Sequence, residues 1–600
     1  MDKAFKNTFL KPSSREERLM RLAEKIKLVE EVVSVPHYNV AGYTHGKLVY
    51  TTTEEGVACL WSLDTSSGSK TRLADDVYMV GNIVPDSPLA VYTKDVSRGR
   101  EQQRAYLVDV RNGKRREIGE VEPRRITEVC FDGKTVALST ASEEAVELWI
   151  AKPDGSAEKV YQTRDLLFAS SIYHGRIAGV GVLRGDPRTY EIFIYDLSDG
   201  EFTVYTPKEG ASNRSPKLFQ EKMLFATTAF GGERLLIYDL KEKRLEEPEY
   251  AYKDYERFDF TEYVLFDWFE GGRIWFVGKR EGRTRAFVDG MLIPLPEGFI
   301  HMLTVVGDKV YASHSSLTEP RKIYEVDLTT GKVETVLGVG LPSRVKTRLD
   351  RAYPAKYRSF DGVEITAYVV ESADASKPGP CIVYVHGGPW AEVADRWNPF
   401  IASLAVCGYH VVAPNFRGST GYGEEFRRMD IGDPGGGDLM DVVYAAEWAR
   451  GKGLASKVAI LGYSYGGFMT FLATVKRPDV WDAGVAGAGI TDWEEMYELG
   501  DAFFRRFVEI LFGERRELWK DRSGAYFAEN LKVPLCIMHP QNDTRTPLKP
   551  VLRYAAKLLE LGKTFELHVL PEVGHAMTRM DDVFKVLFPA VLFLEKYISK

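Results

Sequence analysis

Cysteine is scarce: the 600 residues hold only Cys59, Cys130, Cys381, Cys407 and Cys536. They are scattered and odd in number, and no two form a C-x-x-C pair, which argues against a disulfide framework and a thiolate zinc site. No metal or cofactor is expected. There is no Lys/Arg-rich block, and the net charge is -7. The basic stripe of a nucleic-acid-binding surface is therefore missing. Long apolar runs are missing too. VLFPAVLFL, Val586 to Leu594, has nine residues, against the roughly 20 needed to cross a bilayer. The opening MDKAFKNTFLKPSS lacks the apolar stretch of a signal peptide. The expectation is a cytoplasmic protein that engages neither membrane nor nucleic acid. Glutamine is rare (Gln102, Gln103, Gln162, Gln220, Gln541) beside abundant Lys, Arg and Glu. That bias suits a hot environment.

The length itself excludes a single core, since cores stop growing at roughly 250–300 residues. Three textures divide the chain. In Ser14 to Val33, the residues Leu19, Leu22, Ile26, Val29 and Val33 recur at helical spacing. Ser14 with Glu17 reads as a capping box, and Pro36 ends the helix. Residues 1–36 therefore form a helical extension whose stripe must be buried elsewhere.

Residues 37–341 are β-rich. One phrase recurs, an apolar strand, an Asp, then a Gly- or charge-containing turn and a second strand, as in YLVDVRNGKR and FIYDLSDGEF. The aspartates are Asp64, Asp109, Asp154, Asp196, Asp239, Asp289 and Asp327, at spacings of 45, 45, 42, 43, 50 and 38. Seven hairpin-bearing repeats near this length predict a seven-bladed β-propeller. The phrase around Asp289, AFVDGMLI, is the weakest match.

Residues 342–600 begin with a hairpin, then alternate strands with helices. The runs 381–386, 409–414, 457–463, 483–489, 534–540 and 565–571 are continuously apolar, as in a parallel sheet buried on both faces. This predicts a doubly wound α/β domain.

Within it, Gly462-Tyr463-Ser464-Tyr465-Gly466 ends a strand and opens a helix. That is the strand–turn–helix context of a G-x-S-x-G nucleophile elbow. A serine hydroxyl needs a base. Of the three later histidines, His539 and His568 fall within strands and read as packed residues. His575 follows the last strand in the loop PEVGHAM, where a base must lie. Asp543, in HPQNDTRTP after the preceding strand, is the orienting acid. The order Ser464, Asp543, His575 is that of an α/β-hydrolase. Two N–H donors are needed for the developing oxyanion. Tyr465 and Gly388, the latter in YVHGGPW, are the candidates.

HGGP, NFRGSTGYG, GYSYGG, HPQNDTRTPL and the final GH, in this order, resemble the prolyl oligopeptidase family of serine peptidases. GDPGGGDLMDV and DWEEMYELGDAFFRRF look closest to its archaeal acylaminoacyl branch. Tyr465 after the nucleophile differs from the Asn of the prolyl oligopeptidases proper. The resemblance implies that the N-terminal helix packs on the hydrolase domain and that the propeller covers the active site. It implies that Arg545 holds a substrate carbonyl, and that Trp493, Phe504 and Phe507 line an apolar pocket. Phe504 and Phe507 also share a helix face, which equally describes a core stripe. The implied activity is release of N-acylated amino acids from short peptides, with esterase activity beside it. A dipeptidyl or other oligopeptidase, or a carboxylesterase, is the alternative; a dipeptidyl enzyme would grip a free amine with paired carboxylates. Glu143 and Glu144 form such a pair but read as a solvated turn. A propeller scaffold for protein interaction is the reading from another class. A homo-oligomer, dimer or larger, is the expected assembly.

Overall fold

The structure is a computed structural model describing residues 14–119, 121–186, 188–248, 260–349 and 351–599. Helix α1 (Ser14–Val33) lies on the hydrolase domain, against Pro399–Val406 and the last helix, Met580–Tyr597. Its buried face is Leu28, Val29, Val32 and Val33. The anticipated stripe is shifted: Leu19 is 57% exposed, so only the C-terminal half is anchored. Lys25 reaches Glu595 at 2.6 Å. The side chain of Ser14, and with it the capping pair, lies outside the described residues.

Seven four-stranded antiparallel sheets follow, over 38–74, 79–117, 125–163, 167–205, 213–246, 262–292 and 299–337. Each is a meander of consecutive strands, so no strand is exchanged to close the ring. Blades 1 and 7 meet through side chains, Tyr38 and Tyr50 against Tyr311 and Ile323, and through the Val40 N–H on Ser313 Oγ at 2.6 Å. The recurring Asp has a local cause. In Asp64, Asp109, Asp154, Asp196, Asp239 and Asp327 the carboxylate accepts the N–H two residues on, which turns the third strand into the fourth. Asp289 differs. It sits at φ 49 before Gly290 at φ 74, with Val288 paired to Met291. This is a two-residue hairpin of the kind Asp-Gly favours.

The hydrolase sheet has eight strands: β1 (Ala352–Arg358), β2 (Glu364–Val370), β3 (Gly379–Val385), β4 (His410–Pro414), β5 (Ala455–Tyr463), β6 (Ala483–Gly487), β7 (Leu535–Pro540) and β8 (Phe565–Leu570). Their order is β1-β2-β4-β3-β5-β6-β7-β8, parallel from β4 onward. Alternate residues of β3 enter opposite cores, Cys381, Val383 and Val385 on one face and Ile382 and Tyr384 on the other. Helices cover both faces, which is why the run reads as continuously apolar. The edge strand β8 departs from that pattern. Val569 is 39% exposed, and His568, read as packed, is half-exposed beside Glu566 at 3.6 Å.

Candidate active site

Ser464 occupies the turn between β5 and the helix Tyr465–Lys476, at φ 59 and ψ -120, a left-handed conformation rarely adopted by residues with a Cβ. The neighbours must be glycine for a steric reason. A Cβ on Gly466 would run into the Val385 carbonyl, and one on Gly462 into Gly466. The Ser464 N–H is fixed on the Gly487 carbonyl at 2.9 Å.

Loops at the C-terminal ends of β7 and β8 bring the partners. His575 Nε2 lies 2.9 Å from Ser464 Oγ, and His575 Nδ1 lies 2.7 Å from Asp543 Oδ2. Asp543 is buried and accepts the main-chain N–H groups of Arg545 (2.9 Å) and Thr546 (2.8 Å), and the Thr546 hydroxyl (2.9 Å). Burial pushes its carboxyl up, but His575 and these donors outweigh burial and hold it below its ordinary value. His539 is fully buried, with Nε2 2.7 Å from the Thr546 carbonyl, and so braces the acid loop.

Tyr465 is the first helical residue, so its N–H is one of the four that a helix leaves without an internal partner. Its hydroxyl donates to Asp438 Oδ2 at 2.6 Å. Burial pushes the Asp438 carboxyl up to about 6. Gly388 has φ 130. Its neighbour Gly387 lies against the nucleophile, where an added Cβ would stand 3.3 Å from Ser464 Cβ. His386 braces this turn, with Nδ1 2.7 Å from the Gly387 carbonyl and Nε2 2.9 Å from Ser419 Oγ. Burial lowers the His386 pKa to about 4, so the ring is neutral.

Arg545 is engaged with an acid that sequence reasoning missed. Its Nε lies 3.1 and 2.9 Å from the two carboxylate oxygens of Glu101, and its Nη2 donates to Glu101 and, at 3.1 Å, to the Tyr78 hydroxyl. Nη1 is the nitrogen with no protein partner among the described residues. Glu101, 1% exposed, also accepts from Tyr78 and Arg125. Arg125 continues to Asp501 at 2.7 Å and Thr544 at 3.0 Å. Burial pushes the Glu101 carboxyl up, but Arg545 and Arg125 prevail and hold it far below the usual carboxylate range. The same propeller loop closes over the base: Gly99 and Gly574 are so near that neither admits a Cβ. The only hint in the sequence is a charged, glycine-bearing insert, KDVSRGREQQR, within a strand–turn repeat.

The aromatic trio separates. Trp493 is 0% exposed and packs on Phe468 and Phe512 at ring distances of 4.9 and 5.1 Å. It is a core residue with no surface left for a pocket, which corrects its expected role. Phe504 and Phe507 are half-buried at the domain seam, with Phe507 5.6 Å from Trp390 and the Arg125 guanidinium 4.9 Å over Phe504. Glu143 and Glu144 are exposed. A separate inter-domain cavity of about 620 Å³ lies between blades 4 to 6 and the segment 420–428.

Residues 396–600 match the prolyl oligopeptidase family, and residues 49–324 match the acylamino-acid-releasing enzyme-like N-terminal domain. Among curated proteins, dipeptidyl aminopeptidase BIII of Pseudoxanthomonas mexicana is 28% identical over 46% of this chain and 42% of its own. Acylamino-acid-releasing enzyme 1 of Oryza sativa subsp. japonica is 29% identical over 37% of this chain and 30% of its own. The chain thus spans less than half the length of these relatives. The fold as a whole is that of Pyrococcus horikoshii acylaminoacyl peptidase, with TM-score 0.69 and 18% identity over 94% of this chain and 96% of that one. Among the described residues no helix is long and apolar enough to cross a membrane. With a nucleophile elbow, a Ser-His-Asp array and both matched regions in their expected order, residues 396–600 are a catalytic region of the prolyl oligopeptidase family of serine peptidases, preceded over 49–324 by an acylamino-acid-releasing enzyme-like N-terminal domain.

Proposed function

We propose that this chain is a serine peptidase that releases N-acylated amino acids from short peptides and also hydrolyses esters. Ser464 Oγ attacks the carbonyl carbon and its proton passes to His575 Nε2. Asp543 steadies the imidazolium through Nδ1. The Tyr465 and Gly388 N–H groups receive the oxyanion. His575 then protonates the leaving amine, the C–N bond breaks, and an acyl-enzyme remains. Water, activated by the same histidine, releases the acylated amino acid. On the acyl side, Arg545 Nη1 donates to the carbonyl before the scissile residue, and Phe504 and Phe507 receive its side chain.

One observation carries the preference for an acylated terminus. Glu101 is the propeller acid that reaches this side of the site, and its carboxylate is already bound by two arginines and a tyrosine. A carboxylate so neutralised is a poor receptor for an α-ammonium group. Acetyl-phenylalanine p-nitroanilide should therefore be cleaved faster than the free-amine compound and than a dipeptidyl p-nitroanilide. Faster turnover of the dipeptidyl substrate would replace this reading with the dipeptidyl one.

A further inference from the structure

Two arginines beyond the oxyanion turn, Arg321 and Arg396, make no ion pair among the described residues. Arg321, on the third strand of blade 7 (Glu319–Asp327), makes no side-chain hydrogen bond or ion pair among the described residues, and its Nε is buried without an acceptor. Arg396, in the hydrolase loop facing that blade, donates to the Glu392 carbonyl at 3.3 Å and lies 5.3 Å over the Phe299 ring. The nearby acids pair with other cations. Asp395 binds Arg283 at 2.9 Å, and Glu392 binds Lys279 through one oxygen, while its Oε2 is buried without a hydrogen bond and its charge is felt by Arg396. His37 and His301 adjoin the pair but are held neutral, chiefly by burial. Burial, with Arg396 beside it, lowers the Arg321 pKa to about 10. Keeping positive charge in such a place is unfavourable unless an anion arrives to meet it.

The position of Arg396 says which anion. With Tyr384, His386, Gly387, Asn398 and the acid Glu392 it lines a cavity of about 250 Å³. Gly387 is the residue against Ser464. From His575 a chain of packed rings, the last two buried in the core, runs to the same cavity: Tyr463 at 5.6 Å, then Phe400 at 6.3 Å, then Tyr384 at 6.4 Å. The leaving amine takes its proton from His575, so the leaving half of a substrate lies on this side. The acyl half lies toward Arg545 and Phe504, which face blades 2 and 3 through Glu101 and Arg125.

We propose that Arg396, backed by Arg321, is the binding site for the C-terminal carboxylate of the leaving peptide. This rests on the peptidase reading above. A guanidinium fork matches a carboxylate in two hydrogen bonds. The site gives the enzyme a preference for short peptides with a free C-terminus, because only then does the carboxylate fall within reach of the oxyanion turn.

The test is calorimetric binding to the Ser464→Ala protein, with an acetylated tripeptide acid and its C-terminal amide. The acid should bind about tenfold tighter or more, the loss expected for a charge-assisted contact. Arg396→Gln and Arg321→Gln, each in that background, should shrink the gap. Equal affinity for acid and amide overturns the proposal without any appeal to the variants, and so does binding of neither peptide. A gap that survives both substitutions overturns it as well. Arg396-dependent binding of inorganic phosphate or acetate, with the two peptides tied, would assign the arginines to a free anion and also refutes the peptide site. Hydrolysis of acetyl-phenylalanine p-nitroanilide, which has no leaving peptide, tests the peptidase reading separately.

Discussion

Truncating Arg545 to alanine separates its two possible jobs, because they use different atoms. Support of the triad runs through the main-chain N–H on Asp543, 2.9 Å away, and that bond survives the substitution. Substrate contact runs through the side chain, of which Nε and Nη2 are held by Glu101 and Tyr78 and Nη1 is left to donate. Losing one charge-assisted hydrogen bond costs about 1.5–3 kcal/mol, or about tenfold to a hundredfold in rate. A p-nitrophenyl fatty ester has no second carbonyl, whereas amide cleavage depends on that contact for alignment. The ratio of kcat/KM on an acetyl-peptide to that on the ester should therefore fall about tenfold to a hundredfold in Arg545→Ala. The ratio cancels errors in active-enzyme concentration. The truncation leaves Glu101 buried with Arg125 as its remaining cation, so the double variant Glu101→Ala/Arg545→Ala separates loss of the contact from stranding of the acid. An unchanged ratio, with both activities reduced alike, would refute the substrate-carbonyl role.

Ser464→Ala should lower kcat by about 10⁶-fold and Asp543→Asn by rather less, with unchanged circular dichroism; an active His575→Ala would remove that residue as the base. Glu101→Gln should lower Tm at pH 7. Because the folded carboxyl is held far below its unfolded value of about 4.3, its contribution is present above that pH and fades as pH falls, so the Tm gap to wild type should narrow in acid; a gap constant with pH would count against ionised Glu101 as the clamp. Asp438 has the opposite sign. Its carboxyl rises from 3.8 to about 6, so its stabilisation is full below about pH 4 and is lost as pH rises through 6, by about 3 kcal/mol at about 1.36 kcal/mol per unit. Urea unfolding across pH 4 to 7 should show wild type losing that stability relative to the non-titrating Asp438→Asn as pH rises, and a difference constant with pH would refute the raised carboxyl. Folded albumin should resist the intact enzyme while short acetyl-peptides are cleaved; efficient digestion would mean that the propeller does not restrict access.

How far the chain could be read depended on the range of the interaction. The propeller was legible because each blade turn is held by one Asp and an N–H two residues away, as at Asp196 and Ser198. It blurred at Asp289, where a different turn does the same work. Ser464, His575 and Asp543 stood out because strand ends and glycines mark them locally. Glu101 was illegible because its partner Arg545 lies 444 residues away and meets it only when the domains dock. Trp493 was misread for another reason. An aromatic at helical spacing looks the same whether its ring meets a ligand or the side of Phe468.

The propeller ring closes without an exchanged strand, and the chain crosses between the domains at 34–37 and beyond Leu337, next to blades 1 and 7. Both tethers thus sit at one point on the rim. Any parting of the domains that keeps the chain intact swings about that point like a door on paired pins. Travel is least at blades 1 and 7 and greatest at blades 4 and 5, where the large cavity already separates the two walls. Glu101 and Arg125, one and two blades from the pins, then act as a latch on a short lever. Their contacts with Arg545 and Asp501 therefore move least and part last, so the far rim can gape while the Arg545 guanidinium is still held.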